Sequence, residues 1–176
     1  AVAELREMYD SLEVPGDDPF FVSCNDSPRD VARRVDRELK ERLGPLGGQL
    51  LPGHVPFLAS FVSKGRSTDG RMEVHQDLTY VDEREHRTYM VWIPLVDVDE
   101  HRGALELIPG SHRWTEGRLR PGGTAPLPTT PLQDELVPLG VPVPVTAGTA
   151  VVFDNALLHG SSANGGEDAR PASAIA

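Results

Sequence analysis

From residue 57 to residue 176 the chain breaks repeatedly into short apolar runs, a texture that suits strands and not helices. Residues 57–64, 71–77, 88–98, 103–109, 142–153 and 172–176 are rich in Val, Ile, Phe and Trp and are separated by Gly, Asp and Pro clusters. Short strands at this spacing predict a sandwich or barrel, with a jelly roll as the natural candidate. Residues 114–138 break the series. They are rich in Pro, Gly and Thr without an apolar period, so they read as one long loop, of the kind that serves as a lid or binding loop. This loop carries Arg118 and Arg120, with Arg113 just before it, a basic excess suited to an anionic substrate, the plain alternative being a surface loop whose arginines are simply solvated.

Residues 1–56 have a different texture, a helical buttress to the β region within a single domain spanning 1–176. Val2, Leu5, Met8 or Tyr9 and Leu12 recur at helical spacing until Pro15-Gly16 ends the pattern. A second helix is predicted with Ser27 as N-cap, Pro28 in its first turn and Gly44-Pro45 as its stop. Val31, Val35, Leu39 and Leu43 form its apolar stripe.

The net charge of −10 argues against nucleic acid or an anionic membrane as partner, since both would be repelled. One cysteine, Cys24, rules out a disulfide framework and any multi-cysteine metal site. No apolar stretch is long enough to span a bilayer and no signal pattern opens the chain, so the expected setting is the cytoplasm. A monomer or weak homodimer is the expected state.

Within 71–77, His75 and Asp77 are two residues apart, so on a strand both point to one side and can reach one metal ion. Such a pair is common by chance, and the plain alternative is a polar strand end facing water. His159 supplies a third candidate ligand. Two imidazoles and one carboxylate make the facial set of non-haem Fe(II) oxygenases, with three coordination positions left open. A closed zinc site would need a fourth ligand. Arg170 follows His159 by eleven residues, and its planar fork could grip the far carboxylate of 2-oxoglutarate. Ser161 could add a hydroxyl donor beside His159.

His75-Gln76-Asp77, "VWIPLVDVDEHRGALELIPGSHRW" (91–114) and "FDNALLHGSSANGGEDAR" (153–170) together resemble the phytanoyl-CoA dioxygenase-like family of Fe(II)/2-oxoglutarate oxygenases. The resemblance covers about residues 58–176. It implies a mainly β fold, a double-stranded β-helix (jelly roll, cupin-like) core with N-terminal flanking α-helices. It also implies an iron triad of His75, Asp77 and His159, with 2-oxoglutarate held by Arg170 and Ser161 and with Trp92 beside the cosubstrate. The implied activity is hydroxylation of a C–H bond in a small-molecule metabolite, using O2, releasing succinate and CO2, with ascorbate as reductant. Asp77 sets the chain apart from halogenating relatives, in which a small residue replaces this carboxylate. Two other classes stay open: a redox-inactive cupin-like isomerase or hydrolase using Zn or Mn, and a non-catalytic jelly-roll binding module.

The remaining polar residues carry simpler expectations. His112 is read as a turn residue, and His54, His86 and His101 as exposed. Lys64 is expected at the surface, and Gly103 and Gly148 in turns that need positive φ.

Overall fold

The computed structural model describes residues 2–14, 19–67, 70–79, 81–83, 85–115 and 129–176. Its helices are α1 (Val2–Asp10), α2 (Ser23–Asp26), α3 (Arg29–Leu50) and α4 (Gln133–Leu136). Its first five strands are β1 (Phe21–Val22), β2 (Ala59–Lys64), β3 (Met72–His75), β4 (Tyr89–Pro94) and β5 (Leu105–Leu107). The last four are β6 (Val141–Val143), β7 (Val151–Asp154), β8 (His159–Ser161) and β9 (Arg170–Ile175).

The strands form two sheets, a five-stranded one ordered β1-β2-β9-β4-β7 and a four-stranded one ordered β3-β8-β5-β6. Every pairing is antiparallel. Between the sheets Trp92, Phe153 and Ala172 meet Leu105, Ala104 and Leu157 in one buried cluster. Two antiparallel sheets packed face to face with these crossovers are a jelly roll, as the strand texture predicts.

Strand alternation decides what lies on each side of the larger sheet. On β4, Met90 and Trp92 turn inward, while Val91 and Ile93 turn outward to meet the helices. There they join Phe61 and Ile175 under Leu5 and Tyr9 of α1 and Val35, Leu39 and Leu43 of α3. Val35 and Leu39 are fully buried, each such side chain contributing about 1.5–3 kcal/mol by leaving water. A third cluster, Val74, Ile108, Leu136 and Leu158, covers the back of the smaller sheet. No described helix is long and apolar enough to cross a membrane.

Four local expectations give way. The second helix does not stop at Gly44-Pro45; α3 continues to Leu50 with Pro45 inside it. Pro45 removes one backbone bond, but Leu43 and Leu51 on either side of it pack on the core, and that packing outweighs the local breaker. Ser27 does not cap α3. The flanking residue is Pro28, whose carbonyl accepts from Ala32 N at 2.9 Å, and no side chain caps the helix. Residues 142–153 are two strands in different sheets, divided at Gly148, whose φ is 84° and whose N–H donates to Pro94 O. The long loop is corrected in its second part. Residues 130–139 are three consecutive short helical turns, while 116–128, with Arg118 and Arg120, lie outside the described residues, as does Pro15-Gly16.

Candidate metal centre

β3 ends on His75 and β8 begins on His159, and the two stand directly opposite in the β3–β8 ladder. Their rings lie 4.4 Å apart between centroids. Asp77 follows two residues after His75, with Oδ1 3.8 Å from His75 Nε2 and Oδ2 3.8 Å from His159 Nε2. One ligand atom from each of the three residues lies within 4.8 Å of the others. Spacing in the chain brought two of these together, and strand pairing brought the third.

The tautomers follow from hydrogen bonding. His75 Nδ1 lies 2.8 Å from Glu73 O, and His159 Nδ1 lies 2.9 Å from Leu157 O. A carbonyl only accepts, so each Nδ1 carries the proton and each Nε2 presents a lone pair beside Asp77. Burial holds the His159 imidazolium below its ordinary value, with Asp77 pulling the other way, so the neutral ring is the resting form at pH 7. Phe153 packs on that ring at 4.8 Å. Two imidazoles, each oriented through Nδ1, and a carboxylate fit an octahedral divalent ion such as Fe(II) with positions to spare.

The neighbouring segment is anchored by carboxamides. Gln76 Nε2 donates to Ala156 O at 2.7 Å, and Asn155 Nδ2 donates to Leu78 O at 3.0 Å, which locks the residues on both sides of Asp77 to the turn before β8. Gly160 is required by closeness: a Cβ there would lie 2.7 Å from Met72 O.

Arg170 opens β9 and is fully buried, its Cζ 5.3 Å from the centre of the Trp92 ring. Nε and Nη1 find no acceptor among the described residues. Burial pushes its pKa down to about 10, so the guanidinium stays charged at neutral pH. A buried cation without a carboxylate is costly and calls for an anion. Trp92 and Ser161 line a cavity of about 310 Å³ together with His75, Asp77 and His159, while Arg170 reaches the Trp92 face without forming part of the wall. Met72, Leu78, Met90, Leu105 and Phe153 make the rest of that wall largely apolar.

Lys64 was expected at the surface and is instead buried, at 1% exposure. It pairs across the ladder with Arg170, and its Nζ donates to the carbonyls of Gly70, Ser161 and Ser162. Three acceptors replace the lost water, and one of them is the main chain of β8. Shared facing with Ser60 and Val62 on β2 was the available sign of an inward lysine. His54, His86 and His101 are exposed as expected, and His112 sits in the 3₁₀ turn Ser111–Thr115.

The family model for phytanoyl-CoA dioxygenase (PhyH) matches residues 10–172. The chain belongs to the phytanoyl-CoA dioxygenase family. It is similar to phytanoyl-CoA dioxygenase domain-containing protein 1 from Danio rerio, 32% identical over 118 residues. That match spans 62% of this chain but only 40% of the relative. Among solved structures, AviO1 from Streptomyces viridochromogenes Tue57 is 25% identical with a TM-score of 0.61, covering 99% of this chain and 82% of its own. EvdO2 from Micromonospora carbonacea var. aurantiaca, complexed with 2-oxoglutarate, is 21% identical with a TM-score of 0.64, covering 99% of this chain and 79% of its own. The second likeness establishes the shared fold of this PhyH member.

Proposed function

We propose that this chain is an Fe(II)- and 2-oxoglutarate-dependent dioxygenase that hydroxylates a C–H bond of a small-molecule metabolite. His75, Asp77 and His159 hold the iron, and Arg170 and Ser161 hold the far carboxylate of 2-oxoglutarate beside Trp92. The observation that carries the reading is the convergence of two Nε2 atoms and one carboxylate in a cavity lined by Trp92, whose ring is faced by a buried arginine with Nε and Nη1 unpartnered among the described residues. Family membership and the 2-oxoglutarate complex of EvdO2 support it.

When bound, iron with 2-oxoglutarate and O2 supplies the oxidising power: one oxygen atom enters succinate, the other enters the substrate, and CO2 leaves. The chain's own residues prepare that chemistry. Glu73 O and Leu157 O accept from the two Nδ1–H groups and so turn each Nε2 towards the site. Asp77 contributes the negative charge that favours a divalent ion. Arg170 balances an incoming carboxylate, and the Trp92 face limits where its guanidinium can lie. The apolar wall of Leu78, Met90 and Phe153 excludes water and favours an apolar surface at the reacting carbon. Ascorbate serves as reductant, keeping the iron ferrous.

The test is succinate release across a metabolite panel, with Fe(II), ascorbate and 2-oxoglutarate. Asp77→Ala should abolish turnover, and Arg170→Ala should raise the 2-oxoglutarate requirement roughly ten- to hundredfold while iron binding persists, as expected for a charge-assisted bond. Product formation with Zn(II) or Mn(II) and no succinate would establish the redox-inactive reading instead.

A further inference from the structure

The strand that carries His75 is held by its regular partner on one side only. β3 is an outer strand of its sheet. Its pairing with β8 shifts register between Met72 and His75, so Val74 stands within an irregularity of the ladder. An outer strand with an interrupted ladder is free to slide, and a shift of about 1 Å is enough to spoil a reactive geometry.

The outer edge of β3 at that place is taken up by one side chain. Gln133, the first residue of α4, accepts from Val74 N through Oε1 at 2.8 Å and donates to Val74 O through Nε2 at 2.8 Å. The carboxamide thus makes the two bonds that a residue of a neighbouring strand would make. Its Nε2 also lies 3.2 Å from Thr129 O, which ties it to its own segment. One turn later, Leu136 is buried against Val74 and Leu158, the residues immediately before His75 and His159. Alternation makes this necessary: with the imidazoles turned into the barrel, their predecessors turn out onto α4. From the third side, Ser111 Oγ accepts from Leu158 N at 2.8 Å.

We infer that Gln133 is a positioning residue for the metal centre, fixing the height of the His75 strand against the His159 strand. Leu136 serves as the apolar backing of the same clamp. The inference rests on the reading of His75, Asp77 and His159 as metal ligands, and it adds a determinant outside the cavity. Neither residue belongs to the candidate ligand set or to the cavity lining.

The test measures Fe(II) binding by anaerobic calorimetry, at a temperature where each variant is fully folded, beside thermal unfolding of the metal-free proteins. Gln133→Ala should weaken Fe(II) binding about tenfold or more, the range typical of residues that orient ligands. Gln133→Glu keeps the acceptor for Val74 N–H and loses the donor, so its affinity should fall between the two. Hydrogen exchange at the Val74 amide should rise in the order Gln, Glu, Ala. A merely structural role would lower the unfolding temperature and leave affinity per folded molecule unchanged, and that result overturns the inference. Should Gln133→Ala not fold, the Glu variant decides alone: wild-type Fe(II) affinity with the donor removed overturns it. Absence of Fe(II) binding in the wild-type protein would overturn the oxygenase reading itself, and the clamp with it.

Discussion

Burial fixes the protonation of His159 before any ligand arrives, and this has a consequence for stability. The folded-state pKa of the ring lies below 6.5, chiefly because burial penalises the cation. Between that depressed value and about 6.5 the unfolded chain binds more protons than the folded one, so acid favours unfolding. The contribution is therefore complete above about pH 6.5 and is lost as the pH falls through the folded-state value. Urea unfolding of the metal-free protein at pH 7.5, 6.5 and 5.5 should show stability falling with acid, and His159→Gln should flatten that dependence. An equal slope in both proteins would place the acid sensitivity elsewhere. At this scale the His75–Asp77 pair was legible from its two-residue spacing, although the strand expected over 71–77 ends at His75 and Asp77 lies just beyond it. Lys64 was not. A lysine becomes a core residue only when carbonyls gather round it, and here two of the three come from residues 161 and 162, far away in the chain.

Among the elements, the β3–β8 pair depends on a missing side chain. A methyl group on Gly160 would come within 2.7 Å of Met72 O and 3.4 Å of Glu73 O, both backbone atoms that cannot rotate aside. Gly160→Ala should therefore push β3 and β8 apart, costing about 1–3 kcal/mol of stability and, on the proposed reading of His75 and His159 as ligands, weakening Fe(II) binding with it. Gly47→Ala provides the contrast: that position lies inside α3 with nothing within 4 Å of the added carbon. There the alanine should stabilise by roughly 0.5–1 kcal/mol. Calorimetry on the pair checks both signs. The existence of β2 and β4, both largely buried, was legible, but not their bounds: the strand expected over 88–98 stops at Pro94 and the one expected from 57 begins at Ala59. β8 escaped notice because three residues, His-Gly-Ser, carry no strand signature; only pairing with β3 and β5 makes them one. The run of α3 beyond Pro45 was hidden for the opposite reason, a strong local stop signal overruled by the core.

Taken as a whole, the molecule is organised around β9. It occupies the middle of the larger sheet, with β2 paired to one side and β4 to the other. It brings Arg170 to the Trp92 face and sends Ile175 into the helical core. Removing residues 170–176 should thus do more than delete one cation. It should split the sheet and expose Phe61 and Ile93, and the truncated chain should lose cooperative thermal unfolding, whereas Arg170→Ala keeps it. Circular dichroism on the two proteins separates the outcomes. The jelly roll was legible from strand texture, but the insertion of the last strand between two much earlier ones was not, since sequence order says nothing about sheet order.

That insertion also bears on biosynthesis. During translation β2 and β4 leave the ribosome well before the strand that joins them, an interval on the order of ten seconds at ordinary elongation rates. Throughout it, the run from Tyr89 to Pro94 offers bare hydrogen-bonding groups and apolar side chains to any other nascent chain nearby. Yield from an expressing cell should then depend on elongation speed and on chaperone supply more than on the stability of the finished protein.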